Sequence, residues 1–263
     1  MKNKILTPVF SFLLIISLVS CSSSDDSDTP PQRTYADVQA DFANIVFNTG
    51  VNDVSIVNTN GITWNFRVVM PDVDFSNNDR PLIMTLHGAS GGDPNAHKNT
   101  DCYAEPGFAS LDPIIISPNG GANLWTTFTN QEMVLTLVDL ARDYLPVDNN
   151  KVVVNGYSNG GNGSWFFAET QASFFSAGIP MASHYNTINN GVGRVIPIPL
   201  YVIHGEDDEL FPLSDVQNWV QASIDSGSDI TLEVAPGLMH IEPCEYVQYL
   251  QNAATWLQNS VWN

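Results

Sequence analysis

Gly156-Tyr157-Ser158-Asn159-Gly160 stands between a short apolar strand pattern, Lys151-Val152-Val153-Val154-Asn155, and a helical pattern that runs through Trp165 and Phe167. A strand that reverses into a helix within so few residues needs a turn tighter than ordinary side chains allow. Side chains at positions 156 and 160 would collide with the turn's neighbours, and glycine removes them. The residue between them is driven into a strained conformation that aims its side chain out of the carboxyl edge of a sheet. Here that residue is Ser158. The helix behind it presents free N–H groups and the positive end of its dipole. The bare pattern G-x-S-x-G also arises in glycine-rich turns with a solvated serine, so the flanks decide. A strand before and a helix after point to a serine held for nucleophilic attack.

The same rhythm runs through the chain. Residues 53–58 and 62–70 alternate polar and apolar on either side of Asn60-Gly61, which predicts an antiparallel hairpin. Residues 81–87, 113–117, 151–155, 200–204 and 229–234 read as strands. Residues 36–47, 132–144, 213–226 and 242–257 read as helices; in the second of these Met133, Leu137, Leu140 and Ala141 form one apolar face. Strands alternating with helices predict an α/β class with a mostly parallel central sheet, an antiparallel N-terminal hairpin and helices on both faces. No second linker interrupts residues 34–263, so they form one domain, long enough to bury a sizeable core.

A lone serine at neutral pH is a poor nucleophile and needs a base, which an acid must orient. In the order serine, acid, histidine, both partners follow later strands. The loop His204-Gly205-Glu206-Asp207-Asp208-Glu209-Leu210-Phe211-Pro212 follows the strand at 200–204, and Pro236-Gly237-Leu238-Met239-His240 follows the strand at 229–234. Both loops leave the carboxyl ends of parallel strands, where such sheets place their sites. His240 is the expected base. Asp207 and Asp208 both remain candidates for the acid, and Glu209 reads as a solvated loop charge. His87 and His204 each end a strand before glycine and read as loop braces; His97 lies in a polar loop, and His184 is the alternative base. Two backbone N–H groups suit an oxyanion hole: that of Asn159, after the nucleophile, and that of Ala89 in His87-Gly88-Ala89-Ser90-Gly91-Gly92. Trp125 and Tyr157 are candidates to flank an acyl or aromatic group.

Several segments resemble α/β-hydrolases of the polyhydroxybutyrate-depolymerase or feruloyl-esterase type, with related predicted peptidases and carboxylesterases. Gly156-Tyr157-Ser158-Asn159-Gly160-Gly161-Asn162-Gly163-Ser164-Trp165 is similar to their extended elbow, residues 204–212 to their acid loop, and Leu86-His87-Gly88 to their oxyanion loop. Pro118-Asn119-Gly120 with Trp125 resembles a segment near the cleft. The similarity covers about residues 81–240. His240 departs from it, being followed by Ile241-Glu242-Pro243 rather than a glycine- or tryptophan-bearing sequence. The resemblance implies an α/β-hydrolase fold, a serine esterase that forms an acyl-enzyme without cofactor or metal, and Asp208 as the acid, four residues after His204. It leaves feruloyl, acetyl, polyester or short-chain ester substrates open. It leaves room too for a peptidase of this fold, or for an idle carbohydrate-binding relative.

Residues 1–21 read as an export segment. Lys2 and Lys4 precede an apolar run at 5–19 that Thr7, Pro8, Ser11 and Ser17 interrupt, too short to span a bilayer comfortably. Leu18-Val19-Ser20-Cys21 resembles the lipobox of bacterial lipoproteins, which implies lipidation of Cys21 and attachment to a membrane. Residues 22–33 read as a tether without a core of its own. Its Ser/Asp stretch is similar to the surface-export signal of Bacteroidetes lipoproteins. The expected location is therefore the bacterial outer membrane, with the cell surface as the further destination that signal implies, and the expected state a monomer.

Without Lys2 and Lys4, 7 basic residues face 28 acidic ones, a net charge of −21. No basic patch is present to neutralise phosphates, which argues against nucleic acid as a partner. Cys102 and Cys244 are the remaining cysteines. An oxidising compartment would permit a disulfide between them, and two free buried thiols are the alternative. No zinc-binding spacing is present.

Overall fold

A computed structural model describes residues 32–76 and 78–263. The export segment, Cys21 and most of the acidic tether lie outside the described residues. Among the described residues there are ten strands: β1 (Gly50–Val57), β2 (Thr63–Met70), β3 (Arg80–Leu86), β4 (Ile114–Pro118), β5 (Val147–Tyr157), β6 (Ala177–Met181), β7 (Ile188–Asn189), β8 (Val192–Gly193), β9 (Leu200–Gly205) and β10 (Ile230–Ala235). The helices are α1 (Tyr35–Ala43), α2 (Asp101–Phe108), α3 (Phe128–Tyr144), α4 (Asn159–Thr170), α5 (Leu213–Asp225) and α6 (Val247–Trp256).

Eight strands form one sheet in the order β1-β2-β4-β3-β5-β6-β9-β10, while β7 and β8 form a separate small hairpin. β1 pairs antiparallel with β2, and β2 antiparallel with β4. Every further neighbour is parallel. The sheet is therefore mostly parallel with an antiparallel hairpin at one edge.

Side-chain alternation shows why the inner strands are apolar throughout. Leu82, Met84 and Leu86 enter one core while Ile83 enters the other; Val152 and Val154 are likewise divided from Val153. Both faces of the sheet are covered, so neither set of positions can be polar. The first core takes Val38 and Phe42 of α1, Leu137 and Val138 of α3, Trp165 and Phe167 of α4, and Val216 and Val220 of α5. The second takes Tyr103 and Phe108 of α2 and Leu250 and Ala254 of α6.

Several boundaries differ from the sequence expectation. The first helix stops at Ala43 rather than residue 47, and Ile45 and Phe47 pack on the core from extended chain. Its start is a capping box: the Thr34 N–H donates to Asp37 Oδ2 at 2.7 Å, and the Asp37 N–H donates to Thr34 Oγ1 at 3.3 Å. Arg33 just before it pairs with Asp41 and donates to the Val57 carbonyl, so this residue is held on the folded body. The last helix begins only at Val247, after a tight turn over Pro243–Tyr246.

α2 has no counterpart among the helices the sequence predicts, because Pro106 and Gly107 lie inside it. Gly107 is required by a close helix crossing, since a Cβ there would stand 2.6 Å from Leu250 Cβ. Cys102 in α2 is bridged to Cys244, with Cα atoms 5.2 Å apart. The closed loop of 142 residues implies about 5 kcal/mol of stabilisation in the chain-entropy picture. The bridge ties the segment that follows His240 to the helix that follows the Ala89 loop.

Candidate active site

β3, β5, β9 and β10 run parallel within one sheet, so the segments after them meet at one edge. Ser158 follows β5 directly, with φ 56° and ψ −117°. Its N–H is tied to the Met181 carbonyl of β6 at 3.0 Å. A Cβ at Gly156 would stand 2.3 Å from the Gly160 oxygen, and one at Gly160 1.9 Å from the Leu86 oxygen. Only glycine permits β5, α4 and the end of β3 to approach this closely. A non-glycine residue at that φ and ψ costs on the order of 1–3 kcal/mol, which the surrounding packing must sustain.

Ser158 Oγ lies 2.9 Å from His240 Nε2, and His240 Nδ1 lies 2.8 Å from Asp208 Oδ2. All three residues are buried. Asp208 Oδ1 accepts the N–H groups of Leu210 at 3.0 Å and Phe211 at 2.7 Å. Burial pushes the Asp208 carboxyl up, but the hydrogen bonds from His240 and Phe211 outweigh it and hold the group below the usual carboxylate range. Such a group stabilises the fold above its unfolded pKa, and the contribution fades as pH falls through the lower folded value. An ionised Asp208 accepts the Nδ1–H, which leaves Nε2 bare to accept the Ser158 hydroxyl.

His204 lies behind this chain of contacts, with no exposed side chain; its Nε2 donates to the Phe211 carbonyl at 2.8 Å and stands 3.6 Å from Asp208 Oδ2. Burial depresses its pKa, so the ring is neutral and braces the acid loop. His87 plays the matching part beside Ala89. Its Nε2 accepts the Gly120 N–H at 2.9 Å, and its Nδ1 meets the Gly88 carbonyl at 2.6 Å. Among the described residues the N–H groups of Ala89 and Asn159 have no protein acceptor. A cavity of about 270 Å³ opens between them, lined by Ala89, Asn159, Ser158, Leu124, Leu210 and Phe211. A second, of about 300 Å³, lies beyond the Gly88-Ala89 backbone, against Tyr103, Tyr157, Asp93 and Pro243.

A sequence model of the dienelactone hydrolase family matches residues 74–255, more than half of the chain. The chain belongs to the dienelactone hydrolase family. It is therefore an enzyme, a hydrolase of ester bonds. No curated protein matches the sequence. Among solved structures the fold is similar to that of a thermostable esterase, with TM-score 0.63 and 22% identity over 79% of this chain; the match spans only 62% of that esterase. It is similar to the S-formylglutathione hydrolase of Staphylococcus aureus, with TM-score 0.63 and 19% identity over 82% of this chain and 99% of the other. An arylesterase matches with TM-score 0.63 and 16% identity over 84% and 88% of the two chains. These likenesses concern the fold, which is that of the α/β-hydrolases.

Within this family member three sequence readings need correction. Trp125 does not flank a substrate. It is fully buried, and its indole N–H donates to the His87 carbonyl at 2.9 Å, so it braces the Ala89 loop from behind. The cleft wall comes instead from the preceding residues, with Leu124 60% exposed beside the Ser158 cavity. His184 does not reach Ser158; its Nε2 faces Asp215 at 3.8 Å and its ring packs edge-on to Trp219. Glu209 is not a free loop charge, because its carboxylate accepts the His240 N–H at 2.8 Å.

Tyr157 lines the second cavity, and its hydroxyl donates to the His240 carbonyl. Burial, with the charges of Asp208 and Glu209, pushes its pKa up to about 12, so it stays a donor. The backbone of His240 is thus gripped at its N–H by Glu209 and at its carbonyl by Tyr157. Glu209→Ala is expected to lower kcat/KM by about tenfold, as one charge-assisted hydrogen bond that fixes the ring is lost. Glu209→Gln keeps an acceptor and is expected to stay within about threefold. Steady-state kinetics of both variants check this; equal losses would show that the charge, not the hydrogen bond, matters.

Proposed function

We propose that this hydrolase cleaves carboxylic esters through Ser158, His240 and Asp208. The observation that carries the reading is the unbroken run of contacts from Ser158 Oγ through the His240 ring to Asp208, at 2.9 and 2.8 Å. Ser158 attacks the ester carbonyl while His240 Nε2 takes its proton. Asp208 keeps the ring oriented and stabilises the imidazolium. The N–H groups of Ala89 and Asn159 receive the developing oxyanion. His240 then gives the proton to the departing alcohol, and water repeats the sequence on the acyl-enzyme. None of these steps calls on a metal or an organic cofactor.

The acyl group lies in the cavity beside Leu124, Leu210 and Phe211, whose apolar walls suit a short chain or a single ring. Feruloyl or acetyl esters of polysaccharide, short-chain esters and polyesters all fit that description. The test is hydrolysis by the purified protein of p-nitrophenyl acyl esters, feruloyl esters, acetylated xylan and polyhydroxybutyrate, alongside labelling by a fluorophosphonate. Turnover of at least one ester together with labelling is expected. Failure of both would mean an idle binding protein, and preference for peptides over esters would mean a peptidase.

The chain is further proposed to be an exported monomeric lipoprotein of the bacterial outer membrane, anchored through Cys21. Support comes from the apolar run before Cys21 and the Ser/Asp stretch after it. Cys21→Ser is expected to move the protein from the membrane fraction to the soluble fraction of a detergent-free lysate. If it stays with the membranes, the anchor is elsewhere.

A further inference from the structure

Lysine and arginine are absent from the part of the chain that carries two of the three residues Ser158, Asp208 and His240. Arg194 is the last cation in the sequence, so residues 195–263, which bear the acid loop and His240, contain no lysine or arginine. The seven described cations are all engaged elsewhere. Arg33 pairs with Asp41, Arg67 and Lys98 with Asp53, and Arg80 with Asp112. Arg142 pairs with Asp139, Lys151 with Asp148, and Arg194 with Glu169. None of them lines either cavity beside Ala89.

Asp93 and the other carboxylates of the loops that carry Asp208 and His240 have no such partners among the described residues. Asp93 lines the second cavity. Glu206, Glu209 and Glu242 accept backbone N–H groups of Gly237, His240 and Met239, so three carboxylates are fixed around the segment that ends in His240. Asp207 and Glu245 are exposed on the same two loops. An approaching ester therefore meets Asp93 in the second cavity, carboxylates without cationic partners on the loops that carry Asp208 and His240, and the apolar side chains of Leu124 and Leu210 in the first.

Resting on the esterase reading of this site, we infer that it takes esters whose acyl and alcohol parts are uncharged or cationic and turns away those that carry a carboxylate or phosphate. An anionic group entering the cleft finds no guanidinium or ammonium to replace its water. It also meets the summed repulsion of several carboxylates, which weakens its approach at low ionic strength. The same field favours release of the product, because hydrolysis turns a neutral acyl group into a carboxylate anion. Salt screens charges at an exposed rim, with a Debye length of about 10 Å at 0.1 M, so the discrimination must shrink as salt rises.

The experiment compares three p-nitrophenyl esters of similar length and the same leaving group: pentanoate (neutral), hydrogen glutarate (anionic) and 4-(trimethylammonio)butanoate (cationic). At about 20 mM ionic strength the neutral ester is expected to exceed the anionic one in kcat/KM by about tenfold or more, with the cationic ester at least equal to the neutral one. At 0.5 M sodium chloride the gap to the anionic ester is expected to narrow several-fold. In the double variant Asp207→Asn with Glu245→Gln, the low-salt gap is expected to narrow while hydrolysis of the neutral ester persists. An anionic ester turned over as well as the neutral one at low salt overturns the inference and leaves the esterase reading standing. Hydrolysis of none of the three overturns the esterase reading, and this inference with it.

Discussion

Ser158→Ala is expected to lower ester turnover by on the order of 10³-fold or more while leaving the protein folded. The change removes only Oγ, whose hydrogen-bond partner is His240 Nε2 at 2.9 Å. The tie of residue 158 to the Met181 carbonyl runs through its backbone N–H and survives. Alanine and serine pay the same steric cost at φ 56°. Thermal unfolding should therefore shift by no more than a few degrees, and the loss should lie in kcat. Turnover within about tenfold of the wild type would remove Ser158 from the role of nucleophile.

Asp208→Asn is expected to cost about 10³–10⁴-fold in kcat, and Asp207→Asn less than about threefold. An amide at position 208 can turn its own N–H toward His240 Nδ1 and favour the tautomer whose Nε2 is protonated. That tautomer cannot accept the Ser158 proton. The carbonyl oxygen of the amide would keep the Leu210 and Phe211 N–H groups that Asp208 Oδ1 accepts, so this orientation of the amide is the favoured one. Asp207 is exposed, and its backbone N–H donates to the Leu238 carbonyl. Kinetics of the two variants on one ester check the ranking, and the reverse order would move the acid to Asp207.

The parts of this site that sequence displays are those whose cause is local. Gly156 and Gly160 mark the elbow because a Cβ at either would strike backbone. The apolar runs of β3, β5 and β9 are legible because strands buried on both faces must be apolar at every position. The elbow at 156–165 and the loops at 204–212 and 86–88 resemble the polyhydroxybutyrate-depolymerase and feruloyl-esterase type, and the family model that matches is the broader one of the dienelactone hydrolases.

Some features that arise from segments meeting at a distance are not legible in the sequence. The bond from Glu209 to the His240 N–H joins two loops that touch only because β9 and β10 are neighbours. Trp125 reads as a cleft aromatic from the resemblance of Pro118-Asn119-Gly120 with Trp125 to a segment near the cleft, yet the Gly120 and Gly163 positions beside it make a slot that takes the whole ring inside. α2 is hidden by Pro106 and Gly107, whose low helix propensity is outweighed by packing of Tyr103 and Phe108 on the sheet and by the close approach to Leu250.

The central claim, covalent chemistry at Ser158, is tested most directly by reacting the protein with a fluorophosphonate and locating the adduct by peptide mass spectrometry. The account predicts one adduct, on the peptide holding Gly156-Tyr157-Ser158-Asn159-Gly160, formed in step with loss of esterase activity and absent from the Ser158→Ala variant. An adduct on another residue that tracks the loss of activity would contradict it, as would undiminished hydrolysis after Ser158 is fully labelled.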